Sequence, residues 1–360
     1  IRAIITAAEQ NGLEPALMAP TGRAAKRLAI SSGRDADTIH KALEASVRET
    51  GRTYFEKNEA NPLEEDLIIV DEASMLDISL FYHLLCALKD GARLILVGDI
   101  DQLPPVGAGE PLKDLMSWGY VPIVRLKRIF RQEEGSGIVE NAALIRKGEM
   151  CVPDEAGEFR IIYAADDEDA YRIVMDLCRE LNYGNEENKM LLQVLSPMYR
   201  GVCGVDHLNK SLQEMIHGEK VPDGMKFFPG DKVMQTRNDY EKGIYNGDVG
   251  TVWTATPQKV FVRYFDKEVV YEGEERFDLR LAYAVTVHKS QGSEYETVIF
   301  ILRPSQHNML QRNLLYTGVT RARKNTILVT APDALRRALA IQHTGNRYSL
   351  FLPFLNHEAL

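Results

Sequence analysis

Two carboxylates follow an apolar stretch in the first third of the chain. The residues of Leu67–Val70 are all aliphatic, and Asp71 and Glu72 come directly after them. Such a run is typical of a buried parallel strand, whose carboxyl end opens into the crevice where α/β sheets bind ligands. In nucleotide hydrolases, an aspartate there holds Mg²⁺ on the phosphates, and a following glutamate can take the proton of the attacking water. Asp71 and Glu72 fit these roles, and a solvated acidic turn is the simpler alternative.

A second stretch of the same kind lies further along the chain. Residues 93–97 are mostly apolar, and residues 98–106 contain two aspartates, Gln102 and the pair Pro104 and Pro105. Proline cannot continue a paired strand, so this strand is predicted to end in a rigid polar turn. Because the carboxyl ends of neighbouring parallel strands meet at one edge of a sheet, the two stretches imply a single site.

Composition and charge limit the classes of protein to which the chain can belong. It has 360 residues, of which 45% are hydrophobic and 26% charged, and this length allows two or three globular domains. The formal net charge of −9 creates no global attraction for nucleic acid, so such binding must come from local basic patches. No apolar run approaches the roughly 20 residues of a membrane span, and residues 1–10 predict an amphipathic helix rather than a signal peptide. The sequence therefore predicts no membrane partner.

The cysteines are far apart in the sequence and form no C-x-x-C pair. They are Cys86, Cys151, Cys178 and Cys203. This spacing argues against a zinc site and favours buried thiols in a reducing compartment, which we expect to be the cytoplasm.

Strands and helices are predicted to alternate, as in an α/β fold with doubly wound sheets. In the first part, the pattern predicts helices at 1–10, 38–43, 78–88 and 110–118, a helix beginning near Thr21, and strands at 15–20, 67–70, 93–97 and 121–126. In the second part, it predicts helices at 168–181, 205–216 and 313–323, the last ending in two arginines, and strands at 159–163, 190–195, 298–302 and 327–330. The polar residues 46–61 predict either a hairpin beside the first sheet or a plain surface loop.

The sequence pattern changes after about residue 230. Short runs with a period of two residues, at 249–252, 260–264 and 268–271, are separated by hairpin signals such as Asn246-Gly247. Several short antiparallel strands in succession predict a small barrel inserted into the second α/β domain. The host sheet is predicted to resume at Ala282.

Two polar clusters follow predicted strands of the second part. Thr286, His288 and Lys289 lie at the end of a strand over 283–287, and this mixture of hydroxyl, imidazole and amine suits contact with a phosphate backbone. Tyr199 and Arg200 follow the strand at 190–195, where they could stack on or clamp DNA. A buried ring with a surface charge is an equal alternative for that pair.

Seven motifs, in this order, resemble those of superfamily 1 helicases of the 5′-to-3′ branch, most closely the RecD-like group that includes the exodeoxyribonuclease V alpha subunit. The motifs occupy residues 19–25, 38–40, 70–75, 98–105, 129–132, 287–292 and 316–322. The resemblance extends to about residue 340. It implies two RecA-like parallel-sheet domains of the P-loop NTPase type, with ATP between them, single-stranded DNA across them and an SH3-like barrel inserted in the second.

The resemblance also implies domain boundaries. The first RecA-like domain would comprise residues 1–131, truncated at its N-terminus, with a strand-separating pin at about 47–61. The second would comprise 132–239 and 282–360, and the SH3-like barrel would occupy 240–281.

Roles for single residues follow from the same resemblance. Asp71 would bind Mg²⁺, Glu72 would orient and deprotonate water, and Gln102 would sense the γ-phosphate of ATP. Arg131 and Arg321 would act as arginine fingers that stabilise the transition-state charge. Residues lining the nucleotide would be Gly292 and Glu294, and residues contacting DNA would be Thr21, Thr38, His40, Pro104, Thr286, His288 and Lys289.

The implied function is ATP-dependent stepping along single-stranded DNA in the 5′-to-3′ direction, driven by alternate closing and opening of the two domains. Junctions between single-stranded and double-stranded DNA would also be substrates. The enzyme would act in recombination and repair, and subunits of a recombination complex would be candidate partners. Two kinds of enzyme fit the motifs equally well. The chain could be a subunit of a recombination nuclease or a helicase segment of a conjugative relaxase.

The sequence departs from the family at the phosphate loop. The dipeptide Gly-Lys does not occur in the 360 residues, so there is no G-x-x-x-x-G-K-[ST] loop to cradle the β- and γ-phosphates. We therefore expect a fragment that begins just after this loop and hydrolyses ATP hardly at all by itself. A non-hydrolysing DNA-binding module is the alternative from another class. The intact set Asp71, Glu72, Gln102, Arg131 and Arg321 argues against it.

Overall fold

The computed structural model describes residues 1–47, 53–126, 135–218, 224–239, 241–265, 267–342 and 351–356. The chain divides into two compact units, the first comprising Ile1–Arg125 with Gly345–Leu360 and the second Leu126–Thr344. Each unit contains a parallel sheet with helices, which confirms the expected α/β class.

The first unit carries these elements in chain order: α1 (Arg2–Gln10), β1 (Pro15–Ala19), α2 (Gly22–Ser32), β2 (Asp37–Thr38), α3 (Ile39–Ala42), β3 (Ala45–Val47), β4 (Thr53–Phe55), β5 (Leu67–Val70), α4 (Ile78–Cys86), β6 (Arg93–Leu96) and α5 (Pro111–Trp118). Its four-stranded parallel sheet has the order β2-β1-β5-β6. Strand β5 is central and buried along its whole length, as its unbroken aliphatic sequence predicts.

The segment predicted as a hairpin contains an antiparallel pair. Strand β3 pairs with β4, with Ala45 opposite Phe55. Phe55 is buried and its ring lies against His40 and His83, at centroid distances of 5.9 and 4.6 Å. Residues 48–52, which connect the strands, lie outside the described part of the chain. The aromatic contacts fix the base of the hairpin on the first unit.

The second unit continues with α6 (Gly137–Lys147), β7 (Phe159–Tyr163), α7 (Asp167–Glu180), β8 (Leu192–Ser196), α8 (Val205–His217), β9 (Lys232–Gln235), β10 (Val249–Ala255), β11 (Lys259–Arg263), β12 (Glu268–Glu272), β13 (Leu279–Leu281), β14 (Ala284–Thr286), β15 (Tyr295–Leu302), α9 (Arg312–Val319), β16 (Ala322–Thr330) and α10 (Pro332–Ala340). Its parallel sheet has the order β14-β8-β15-β16-β7. The carboxyl ends of β8 and β14 are therefore neighbours.

An antiparallel sheet is inserted between α8 and β14. Its order is β12-β11-β10-β9-β13, and it has a hydrophobic core of its own. We expected the insert to begin at residue 240, but Lys232–Gln235 already belong to it because they pair with both β10 and β13. The SH3-like barrel form is an expectation from the resemblance, whereas the antiparallel sheet is observed.

Two buried charges hold the insert on its host. The Lys232 ammonium donates to Leu192 O and Gln193 Oε1, each at 3.0 Å, on strand β8 of the parallel sheet. The neighbouring Asp231 carboxylate accepts from the Tyr283 hydroxyl at 2.9 Å and from the Phe228 amide at 2.7 Å. Both charged side chains are fully buried, so each depends on these bonds.

Two sequence predictions of elements are wrong. Residues 121–126 form no strand, because they have no partner strand among the described residues; Val124 and Leu126 are exposed. The helix predicted to reach residue 323 ends at Val319, because pairing of β16 with β15 begins at Ala322.

The C-terminal segment belongs to a different unit from the one we expected. We placed residues 282–360 wholly in the second domain, but the short helix α11 (Phe351–Leu355) belongs to the first unit. The ring of Phe351 packs edge-to-face on Phe81 of α4, with a centroid distance of 5.9 Å. Partial burial of this ring against the core of the first unit holds α11 there.

Within the described ranges, no helix combines the length and the apolar character needed to cross a bilayer.

A glycine sets the distance between α9 and β15. A Cβ atom at Gly318 would lie 2.5 Å from the ring of Phe300, which is fully buried. We therefore expect Gly318→Ala to lower the free energy of unfolding of the second unit by about 1–3 kcal/mol, since the added methyl must displace a packed ring. Urea denaturation followed by circular dichroism measures this change.

Phe300→Leu is the matched partner variant for this test. In the double variant the smaller side chain accepts the methyl, so its destabilisation should be less than the sum of the two single changes, with a coupling of about 0.5–3 kcal/mol. Additive effects would show that the contact between Gly318 and Phe300 does not limit the packing.

Candidate functional site

The predicted acidic pair lies at the carboxyl end of β5. The Asp71 amide donates to Met18 O at 2.9 Å, which extends the pairing of β5 with β1 by one residue. The Glu72 amide donates to Asp71 Oδ1 at 3.0 Å. Glu72 has a left-handed backbone with φ of +52°, which is uncommon for a non-glycine residue and stores local strain. The turn therefore places both acidic residues at the carboxyl edge of the sheet.

The Glu72 side chain has a cationic neighbour that the sequence did not reveal. Arg27 Nη2 of helix α2 lies 3.4 Å from Glu72 Oε1. The Glu72 carboxylate is buried and the Arg27 side chain about one-third exposed. No local pattern could have found this pair, because the residues are 45 positions apart.

Main-chain hydrogen bonds join the two predicted strand ends. The Val97 amide donates to Val70 O, and the Ala73 amide donates to Val97 O, both at 2.8 Å. A Cβ at Gly98 would lie 2.9 Å from the Ser74 amide nitrogen. Glycine is therefore required for the close approach of the two turns. The structure brings the 71–74 turn and the 98–105 segment together, as the sequence predicted.

The segment after β6 continues as a compact turn. The Asp101 amide donates to Asp99 Oδ1 at 3.0 Å, and the Gln102 amide donates to Asp99 O at 3.2 Å. Pro104 and Pro105, which follow, are buried. Pro104 therefore packs inside the turn and offers little surface to a ligand.

One buried hydroxyl in the first unit has no hydrogen-bond partner among the described residues. It is the Oγ of Ser74, two positions after Glu72. Buried polar atoms are nearly always hydrogen-bonded, so an orphaned one beside two carboxylates suits a site that a ligand completes. Mg²⁺ in nucleotide sites usually takes one or two protein carboxylates, waters and phosphate oxygens, and Asp71 fits that donor set.

The predicted DNA-contacting threonines of the first unit both cap helices. Thr21 Oγ1 accepts from the Ala24 amide at 3.3 Å at the start of α2, and Thr38 Oγ1 accepts from the Lys41 amide at 3.1 Å at the start of α3. Each hydroxyl already satisfies an orphan amide of its helix. Their local role is to begin these helices at the carboxyl edge of the sheet.

In the second unit, Thr286 positions the turn that carries His288 and Lys289. Thr286 is buried, and its Oγ1 accepts from the Lys289 amide at 3.3 Å. His288 and Lys289 lie on the following 3₁₀ turn and are half-buried. The Lys289 ammonium donates to Asn246 Oδ1 of the insert at 2.7 Å, a partner that the sequence did not indicate.

Gly292 and Glu294 flank a second orphaned hydroxyl. Gly292 has a left-handed backbone with φ of +72°. Ser293 Oγ, between them, is buried and makes no hydrogen bond with the described residues. The Glu294 carboxylate pairs with Arg323 Nε at 2.8 Å. A second buried group that a ligand can satisfy therefore lies between the two predicted nucleotide-lining residues.

Arg321 is packed inside the second unit, with only 2% of its surface exposed. Its guanidinium donates to Thr317 O and Ser293 O, both at 3.1 Å. Arg131, the other predicted arginine finger, lies outside the described residues.

Three family models match separate parts of the chain. Residues 1–160 match a model described as an AAA domain, residues 208–264 match the SH3 domain of ATP-dependent RecD-like DNA helicases, and residues 281–329 match the C-terminal domain of UvrD-like helicases. The match to the SH3 domain covers three of the five strands of the inserted sheet, β9, β10 and β11.

Two curated relatives align with nearly the whole chain. The ATP-dependent RecD2 DNA helicase of Deinococcus radiodurans is 38% identical over 353 residues, which cover 97% of this chain and 47% of that protein. The RecBCD enzyme subunit RecD of Mycolicibacterium smegmatis is 32% identical over 370 residues, covering 93% of this chain and 66% of that protein. The chain belongs to the RecD-like helicase family. It spans about half the length of the first relative and about two thirds of the second.

Two solved helicase structures have a fold similar to that of this chain. The Bacteroides Pif1 helicase in complex with ADP-AlF3 and single-stranded DNA superposes with a TM-score of 0.56 at 21% identity, covering 96% of this chain and 87% of that one. The Pif1 helicase of Candida albicans gives a TM-score of 0.54 at 19% identity, covering 95% and 90%. At these identities the likeness shows the fold.

His40 provides a test of the electrostatics of the first unit. Burial lowers the pKa of His40 below the ordinary histidine value of about 6.5, and the Asp77 carboxylate opposes this shift. Between the lowered folded pKa and about 6.5, the unfolded chain binds a proton that the folded chain does not. We therefore expect the free energy of unfolding to fall as pH drops through this window, and His40→Gln to remove this part of the slope.

An NMR titration of the His40 ring and urea unfolding at pH values on either side of that window measure the two effects. At neutral pH the ring is uncharged, so a contact with DNA would be a hydrogen bond or a stack. A His40 resonance that titrates at or above the ordinary value would contradict the assignment.

Proposed function

We propose that this chain is the motor portion of an ATP-dependent 5′-to-3′ DNA helicase that moves along single-stranded DNA. The observation that carries the proposal is the joining of the turn with Asp71 and Glu72 to the turn with Gln102, next to the orphaned Ser74 hydroxyl. The relationship to the RecD2 DNA helicase supports the choice of reaction.

The nucleotide would be ATP with Mg²⁺, and the first unit supplies the groups that suit them. Asp71 would hold the metal, which when bound neutralises charge on the phosphates. Glu72 would take the proton of the attacking water, and Arg27 would hold the Glu72 carboxylate in place through the 3.4 Å contact. Gln102, on the turn after β6, would sense the γ-phosphate.

The second unit would contribute the remaining groups. Arg321 would stabilise transition-state charge, and Arg131 would have the same role. Gly292 and Glu294 would line the nucleotide, and the Ser293 hydroxyl between them would find its missing partner there.

DNA contact would come from the turns at the carboxyl edges of the two sheets. Contact with the phosphate backbone would use the amine of Lys289 and the imidazole of His288, held by the Thr286 cap. In the first unit, Thr21, Thr38 and His40 would form the corresponding path, and the β3–β4 hairpin would be the pin at the strand junction.

The setting of the reaction is part of the proposal. Recombination and repair, with subunits of a recombination complex as partners, suit the relationship to RecBCD subunit RecD. A cytoplasmic location suits three buried free thiols, at Cys151, Cys178 and Cys203.

A second candidate function is single-stranded DNA binding without hydrolysis. It is favoured by one observation, the absence of a Gly-Lys dipeptide from these 360 residues. Without a phosphate loop, the main-chain donors that normally hold the β- and γ-phosphates are missing from this sequence.

ATP turnover separates the two candidates. We expect little hydrolysis by the chain as given, and DNA-stimulated hydrolysis once a G-x-x-x-x-G-K-[ST] segment is joined upstream of α1, because the loop supplies the phosphate cradle. Phosphate release is measured with and without an oligothymidylate. If the extended chain binds DNA but never hydrolyses ATP, the binding module is the better description.

Glu72→Gln tests the assignment of the base in the extended chain. The amide keeps the size of the side chain but cannot accept the proton, so we expect turnover to fall by about 10²–10⁴-fold while ATP still binds. Glu64→Gln, an exposed carboxylate in the same unit, is the matched control and should keep normal turnover. Near-normal hydrolysis by Glu72→Gln would refute the role of Glu72 as base.

A further inference from the structure

A cavity of about 960 Å³ lies in the second unit, where the insert meets the carboxyl edge of the parallel sheet. Tyr199 follows β8 and Lys289 follows β14, and these two strands are neighbours. Phe277 and Arg280 come from the insert, next to and within β13. We call the surface formed by Tyr199, Phe277, Arg280 and Lys289 the junction pocket.

Two aromatic rings of the junction pocket are open to solvent. The exposed fraction is 42% for Tyr199 and 71% for Phe277. Large exposed rings that line a concave surface lose unfavourable hydration when a flat apolar ligand covers them. A nucleobase is such a ligand, and stacking on aromatic side chains is sequence-tolerant because every base has a π-face.

The same pocket carries two cations without a carboxylate partner among the described residues. The guanidinium carbon of Arg280 lies 6.0 Å from the centre of the Tyr199 ring, a cation–π contact. Lys289 donates to the neutral Asn246 amide. Burial, and then repulsion from Arg280, lowers the pKa of Lys289. Two adjacent cations of this kind attract an anion such as a phosphate.

The acidic residues at the pocket are mostly neutralised by other cations. Asp278 lies 3.5 Å from Arg237 Nε, and Glu275 lies 2.6 Å from Lys242 Nζ. Glu274 is exposed on the rim. Arg280 and Lys289 therefore remain available to a ligand.

We propose that the junction pocket binds one nucleotide of single-stranded DNA, with its base stacked on Tyr199 and Phe277 and its phosphate contacted by Arg280 and Lys289. The proposal rests on the proposed function, which supplies the strand, and it adds a base-stacking site to the phosphate contacts described above. The insert then contributes directly to the grip on DNA.

The test compares two ligands with the chain as it is. Fluorescence anisotropy measures binding of a labelled oligothymidylate of about 16 nucleotides and of an abasic oligonucleotide of the same length, which has the phosphates but no bases. We expect Tyr199→Leu and Phe277→Leu each to weaken oligothymidylate binding by about tenfold and to leave abasic binding unchanged, because only the stack is lost.

The controls separate stacking from charge and from general effects. Phe265→Leu changes a ring of the insert that is 98% exposed and outside the junction pocket, and it should bind both ligands like the wild type. Arg280→Ala should weaken both ligands and reduce the slope of log K against log[salt] by about 0.7, the value for one phosphate contact on a single strand.

The possible results have distinct meanings. Equal losses for the two ligands in Tyr199→Leu and Phe277→Leu, or no loss in either variant, overturn the stacking proposal and leave DNA binding by the chain intact. Failure of the wild type to bind either oligonucleotide at low salt overturns both this proposal and the DNA-binding part of the proposed function.

Discussion

Main-chain hydrogen bonding between parallel strands, continued past the strand ends, is the constraint on which the first unit depends. The bonds from Val97 to Val70 and from Ala73 to Val97 hold two turns together that are far apart in sequence. A slip of one residue would turn every side chain of β5 to the other face, so the buried aliphatic run and the acidic turn specify each other. The chemistry of Asp71 and Glu72 is therefore set by the register of the sheet.

The sequence was most informative where a pattern is local. The aliphatic run of β5, the cap residues Thr21 and Thr38 and the hairpin signals of the insert each determine structure within a few residues. The alternation of strands and helices predicted the α/β class, and the two apolar strands that end in polar residues predicted the joined turns. The run at 121–126 failed because a strand needs a partner, and its amino-acid types carry no information about one.

What the sequence could not predict depends on contacts between distant segments. The ion pair of Arg27 with Glu72 and the bond of Lys289 to Asn246 join residues from separate elements. The buried charges of Lys232 and Asp231 are of the same kind, since their types alone predict exposure. In the structure Lys232 is bonded to two residues of β8, and Asp231 is bonded to Tyr283, which directly precedes β14. The insert and its host sheet therefore depend on each other for the burial of these charges.

The left-handed backbone at Glu72 has an evolutionary consequence. Glycine adopts this conformation without strain, so replacing Glu72 with glycine would relieve the backbone while removing the carboxylate. Selection for stability alone would therefore favour loss of this side chain, and the proposed role of Glu72 as base would oppose that loss. A design method that scores folding alone would choose glycine at this position and would remove the carboxylate on which the proposed hydrolysis depends.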